Sequence, residues 1–153
     1  MVAAIDELLA QVVDPEIPVL TIADLGVLRG ASVGANGVVT VTITPTYSGC
    51  PAMGVIEEDI VSTLESAGYD QVEVRTTFSP AWTTDWMSDE ARRRLTDYGI
   101  APPQEIGATL EPVLCPQCAA PHTRLVAEFG STACKALMVC SSCGEPFDHF
   151  KAI

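Results

Sequence analysis

Positive charge is scarce in this chain of 153 residues: eight Lys and Arg stand against 20 Asp and Glu, a formal net charge of −12. Neutralising nucleic-acid phosphates needs a basic stripe, so nucleic acid is excluded as a partner. Long apolar runs are missing too. None approaches the roughly 20 residues that span a bilayer, and Asp6 and Glu7 stand where a secretory signal needs a basic patch. These absences lead to the expectation of a cytoplasmic protein with no membrane partner. No Gly-rich phosphate loop, Ser-His-Asp set or His-carboxylate metal triad is found, and histidine occurs only at positions 122 and 149. In a reducing compartment the six cysteines are better read as metal ligands or reactive thiols than as disulfides.

Four of those cysteines form two knuckles, Cys115-Pro-Gln-Cys118 and Cys140-Ser-Ser-Cys143. Two residues between paired thiols let both sulfurs turn onto one ion, and two such pairs complete a tetrahedral set for a structural zinc. A redox-active pair, or an iron–sulfur cluster on the same four thiols, is the competing reading. So short a module has little core of its own, and bound metal supplies folding free energy in its place. Charge separates the two parts: residues 1–112 hold 17 acids and five bases, whereas residues 113–153 hold three of each. The acidic surface suits solubility and docking on a basic protein patch.

Apolar residues make up 48% of the chain, enough for a packed core. Ile5, Leu8, Leu9, Val12 and Val13 recur at helical spacing, which predicts a helix from Ala4 to Val13 ended by Asp14-Pro15. A loop to Asp24 and a strand from Gly26 to Val33 follow. Asn36-Gly37 predicts a type I′ hairpin into a strand alternating Val39, Val41 and Ile43 with threonines. Pro51 then suits the first position of a helix to Ala67, with Val55, Ile56, Ile60, Val61 and Leu64 inward and Gly68 as its stop. A strand from Val72 to Phe78 and a helix capped by Ser88 and Gly99 complete the pattern. The expected fold class is α+β: a small two-layer α-β-β-α-β-α domain over 1–100, a linker over 101–112 and a C-terminal four-cysteine zinc ribbon over 113–153. A short strand at 106–114, and strands at 125–129 and 136–139, are expected in and before the ribbon.

Two thiols fall outside the knuckles. With Pro51 opening the helix, Cys50 is its N-cap, where unpaired N–H groups favour a thiolate; it is then a candidate nucleophile or soft-metal ligand, against the ordinary reading of a buried cysteine. Thr46 and Ser48 lie close enough in sequence to donate to its sulfur. Cys134, between the knuckles, reads as a small buried residue beside the zinc, or as a contact, substitute ligand or reactive thiol helped by Lys135. His122 and His149 read as bystanders to a site already closed by four thiolates. Asp14-Pro-Glu-Ile-Pro18 reads as an acidic turn. Trp82 and Trp86 read as packing residues, with an exposed docking surface as the alternative, and Arg92-Arg93-Arg94 as a solvated helix face.

Asp14-Pro-Glu-Ile-Pro18, Ala23-Asp-Leu-Gly26 and Thr46-Tyr-Ser-Gly-Cys-Pro51 together resemble the metal–sulfur cluster assembly domain family that includes SufT-like proteins. Ser79-Pro-Ala-Trp-Thr-Thr-Asp-Trp-Met-Ser88, Tyr98-Gly-Ile-Ala-Pro-Pro103, Phe129-Gly-Ser-Thr-Ala-Cys-Lys-Ala136 and Glu145-Pro-Phe-Asp-His-Phe-Lys151 extend the match. They resemble the narrower PaaD family, small proteins encoded with the phenylacetyl-CoA epoxidase of aerobic phenylacetate degradation. The resemblance implies an accessory to a multicomponent monooxygenase rather than a catalyst by itself. Its implied partners are the epoxidase's oxygenase and reductase subunits. It also implies Cys50 as the group that transiently holds iron or an iron–sulfur unit, in one form across a homodimer interface, with Asp14 and Thr46 in support. Two other readings stand beside it: a non-catalytic component of the complex binding through the tryptophan segment and ribbon, and a thiol enzyme, which lacks a base nearby in sequence.

Overall fold

The computed structural model describes residues 2–105 and 111–153. They form two compact units, Met1–Trp82 and Thr83–Ile153. The fold is α+β, as expected.

In the first unit α1 (Val2–Leu9) buries Ile5 and Leu9. It stops before Asp14-Pro15 because the backbone that follows pairs across the chain: Ile22 N–H donates to the Val12 carbonyl at 2.9 Å and Asp14 N–H to Leu20 at 2.9 Å. Val13 is thereby left exposed instead of inward. The expected loop to Asp24 contains a second, short helix, α2 (Ile22–Leu25). Its signal is the Thr21-x-x-Asp24 spacing of a capping box, in which each side chain accepts from the other's N–H at 3.0 Å.

Strands β1 (Leu28–Val33) and β2 (Val39–Ile43) pair antiparallel, and β3 (Val72–Thr76) adds parallel to β2 to give the order β1-β2-β3. The valine–threonine alternation of β2 sorts as expected, with Val39, Val41 and Ile43 fully buried. The hairpin is not type I′. Gly37 takes φ +81° while Asn36 does not, and the Gly37 N–H closes on Gly34 at 2.9 Å. This is the three-residue turn with a left-handed glycine at its end. Helix α3 (Met53–Ser66) carries the chain from β2 to β3, burying Ile56, Ile60 and Leu64, and ends where the Tyr69 N–H reaches the Leu64 carbonyl past Gly68. Val55, expected inward, is exposed and Val61 half-buried, and β3 stops at Thr76, short of the expected Phe78.

In the second unit Ser88 caps α4 (Asp89–Tyr98) through a 3.0 Å bond from the Ala91 N–H, and Gly99 ends it at φ +94°. The sequence pattern ends the first domain at 100. In the structure α4 lies with the ribbon, because the next two residues, β4 (Ile100–Ala101), pair with β7 (Pro146–Phe150). The sheet is completed by β5 (Thr123–Ala127) and β6 (Lys135–Cys140) in the order β4-β7-β6-β5. Of the strand expected at 106–114, residues 106–110 lie outside the described residues and 111–114 are not in a strand. One buried cluster of the ribbon is made of Ala101, Cys115, Met138, Cys140 and Phe147, and Cys134, Ala136 and Phe150 are buried beside it in sequence.

Candidate metal centre and the Cys50 loop

The two knuckles repeat the same backbone chemistry. The Ala119 N–H donates to Cys115 O at 2.8 Å and the Gly144 N–H to Cys140 O at 2.9 Å; Cys115 N–H donates to Ala120 O at 3.0 Å and Cys140 N–H to Glu145 O at 2.9 Å. Both turns need a left-handed residue after the second cysteine. Gly144 supplies it at φ +80°, whereas Ala119 is forced there at φ +59°, a conformation that alanine adopts only when its surroundings impose it.

These turns bring Cys115, Cys118, Cys140 and Cys143 together, with all four sulfurs within 4.8 Å of one another. The Cys115–Cys143 sulfurs are 3.7 Å apart and the Cys118–Cys140 sulfurs 3.6 Å. A tetrahedron of sulfurs at about 2.3 Å from a zinc ion has edges of about 3.8 Å, so the donor set fits that ion. Backbone N–H groups of Ala120, Cys143, Ser142 and Glu145 point at the sulfurs. The Cys143 and Ser142 N–H groups help draw the Cys140 thiol down to about 6. The Glu145 N–H opposes the rise of Cys143, yet burial and the three neighbouring thiols push it up to about 12. Four such close sulfurs cannot all be charged without a cation among them.

Among the described residues no histidine joins this set. His122 contributes its carbonyl, accepting from the Ser141 N–H at 2.8 Å. His149, in β7, has a buried Nε2 without a hydrogen-bond partner, and burial lowers its pKa. Cys134 is buried and meets the Thr132 hydroxyl at 3.0 Å, outside the metal cluster. The buried ammonium of Lys135 lies 3.8 Å from Asp148. Arg92 is not a freely solvated side chain either, since it donates to the carbonyls of Thr84 and Pro103. Trp82 is buried, its indole N–H donating to the Leu25 carbonyl at 2.9 Å, and Trp86 is half-buried.

Cys50 stands apart in the first unit. Helix α3 has Ala52 as its N-cap, so Cys50 precedes the cap by two residues instead of occupying it. Its carbonyl accepts from Met53 at 3.4 Å and its N–H donates to Tyr47 at 3.2 Å, which makes it part of a turn. The thiol is half-buried. Burial pushes its pKa up, the Ala52 N–H pulls it down, the Glu16 carboxylate raises it, the Thr46 hydroxyl lowers it and the Asp14 carboxylate raises it; the net direction is upward. The thiolate expected from a helix N-terminus is therefore a neutral thiol at pH 7. The structure does bring Asp14 and Thr46 to it, and adds Glu16, which in the sequence is only one acid of an acidic turn.

That turn is built by Asp14, whose buried carboxylate accepts from the N–H groups of Glu16 and Ile17 at 2.8 Å each. It fixes two carboxylates in the field of a thiol more than 30 positions away. Alkylation of Cys50 by iodoacetamide, followed residue by residue by mass spectrometry, is expected to be slow at pH 7 and still rising above pH 9. Glu16→Gln removes one repulsive charge and is expected to accelerate it about twofold or more at pH 8. A plateau below pH 8 in the wild type contradicts the neutral thiol.

Residues 2–75 match the model of the family described as iron-sulfur cluster assembly protein, and residues 100–151 that of the PaaD zinc beta ribbon domain. A protein of Escherichia coli, provisionally named as one of the subunits of 1,2-phenylacetyl-CoA epoxidase, is 53% identical over 95% of this chain and 90% of its own. An Fe-S protein maturation auxiliary factor of Porphyromonas gingivalis is 46% identical over 58% of this chain and 84% of its own. Among solved structures, a DUF59 domain from Bacillus anthracis superposes with a TM-score of 0.57 at 28% identity, covering 61% of this chain and 90% of that one.

Proposed function

Because the chain belongs to the PaaD family, an iron–sulfur cluster assembly domain joined to a PaaD zinc beta ribbon, we propose that it is an accessory protein of phenylacetyl-CoA epoxidase. In this reading Cys50 holds iron or an iron–sulfur unit in transit to the oxygenase or reductase subunits of that monooxygenase, and Asp14, Thr46 and Glu16 set the state of the thiol. The tail's four cysteines hold a structural zinc, which offsets half of the charge of four thiolates and ties β6 to the first knuckle.

The observation that carries the reading is the chemistry around Cys50. A half-buried thiol facing two carboxylates is held protonated and is a poor nucleophile, which disfavours the thiol-enzyme alternative. An arriving cation reverses this: its charge offsets the carboxylates and favours loss of the thiol proton, so the same loop that suppresses nucleophilic chemistry favours a metal ligand. Among the described residues, Cys50 and its acidic neighbours are not gathered into a ready-made metal cage. That suits transient holding with further ligands from the recipient or a second copy.

The alternative, a structural component of the complex, needs an exposed docking element. Of the tryptophan segment and ribbon, the first offers little, since Trp82 is buried, while the ribbon exposes Leu125, Val126 and Phe129. Co-expression of the Cys50→Ser variant with the epoxidase subunits separates the readings. The metal content of the purified partners is expected to fall severalfold while the variant melts within a few degrees of the wild type. Full metal loading of the partners by Cys50→Ser would leave only the structural role.

A further inference from the structure

A second surface of the first unit has no part in the Cys50 reading. Between α3 and β3 lies a groove of about 490 Å³ lined by Glu57, Glu58, Val61, Ser62, Glu65 and Val74. Three carboxylates surround two half-buried valines. The ion pairs of the described residues do not include Glu57, Glu58 or Glu65. Residues 1–82 contain only two bases, against eleven acids. Arg75 is held by Glu73 at 3.1 Å, and Arg29 sits on β1, at the opposite edge of the sheet. The positions that would supply i,i+4 partners to these glutamates hold Val61 and Ser62 instead of lysine. Among the described residues these carboxylates have no basic partner within 4.0 Å, and Glu57 accepts from the neutral Thr76 hydroxyl at 3.4 Å.

Among the described residues the groove also borders the outer edge of a sheet. β3 pairs with β2 on one side and is the edge of its sheet on the other. Since β2 and β3 are parallel, α3 returns antiparallel to them, and a chain added beside β3 runs along the helix. Glu57, Val61 and Glu65 lie in one row of α3, spanning about 12 Å at about 1.5 Å per residue. An extended chain covers that length in about four residues, and residues i, i+2 and i+4 share one face.

The geometry points to this groove as the docking site for an extended, basic segment of a different protein, with lysine or arginine at i and i+4 and an apolar residue at i+2. The basic groups meet Glu57 with Glu58 at one end and Glu65 at the other, the apolar side chain sits between Val61 and Val74, and the backbone adds to the free edge of β3. A second copy of this chain is a poor occupant, because its own first unit carries a net charge of −9. Nucleic acid and anionic membranes are repelled for the same reason.

The test uses the full chain and a fluorescein-labelled peptide in which two lysines flank Thr-Val-Thr, followed by fluorescence anisotropy at low salt. Saturable binding is expected, weakened about tenfold or more by Glu57→Lys with Glu65→Lys. Asp6→Lys with Glu7→Lys changes the net charge equally at exposed positions of α1 that do not line the groove and is expected to stay within about threefold of the wild type. A peptide with glutamates for lysines is expected not to bind. In the wild type the peptide is expected to slow hydrogen exchange at β3, a readout independent of how well the charge-reversed variant folds. No saturable binding, equal loss in both double variants, or unchanged exchange at β3 would each overturn the proposal.

Discussion

Removing the ribbon's metal, by chelation or by Cys140→Ser, is expected to unfold β5, β6 and β7 while the first unit keeps its helices and strands. The size of the effect follows from how little else holds the module. Its buried cluster has five members, two of them the ligands Cys115 and Cys140. Burial of Met138, Phe147 and, outside that cluster, Phe150 contributes about 1.5–3 kcal/mol each. A structural zinc in a small module contributes on the order of 10 kcal/mol or more, so the ion dominates. Serine at 140 replaces a fully buried thiolate with a hydroxyl that does not ionise in this range. Hydrogen exchange resolved by segment is the measurement, with zinc quantified on the same sample. Native protection of β6 and β7 in zinc-free protein would show that packing suffices and that the tetrahedral site is incidental.

Trp82→Ala is expected to cost the first unit about 3–5 kcal/mol, a large share of the roughly 5–15 kcal/mol that stabilises a domain. The side chain is 4% exposed, and its loss opens a cavity and strips the Leu25 carbonyl of the indole N–H at 2.9 Å. Trp82→Phe keeps most of the volume and removes only that donor, so a smaller cost of about 1–3 kcal/mol is expected. Leu25 closes α2, whose first residue, Ile22, donates to Val12, and Leu20 just before it accepts from Asp14. Loosening this corner is therefore expected to free the acidic turn and speed Cys50 alkylation near neutral pH. Urea unfolding of the three proteins decides it. An unchanged midpoint for Trp82→Ala would return the tryptophan to the role of a docking residue.

The elements legible in the sequence are those governed by neighbours within a turn or two. The 3.6-residue period of α3 and the alternation of β2 assign their buried faces, Val55 and the half-buried Val61 excepted, because one partner surface sorts each of them. Ser88 and Gly99 mark the ends of α4 because capping is a local hydrogen bond. Where a distant partner intervenes, the pattern misleads. α1 ends early because residues 12–14 are paired with 20–22. α2 is too short for a hydrophobic period and leaves only its capping box in the sequence. β7 carries no local signal of its own, since its five residues become a strand by pairing with β6 and β4.

By itself the sequence determined the four-thiol metal site, the sign of the surface and the α+β class. Ligand spacing, charge and hydrophobic period are properties of the chain, and they survive folding unchanged. Tertiary structure decided the rest. It took Cys50 off the helix N-cap, set Asp14 and Glu16 against its thiol, moved α4 to the ribbon's unit and, among the described residues, left three glutamates without a basic partner beside the outer edge of a sheet. Each depends on groups far apart in the chain, and a thiol's charge answers to whatever lies within a few ångströms, however many residues away.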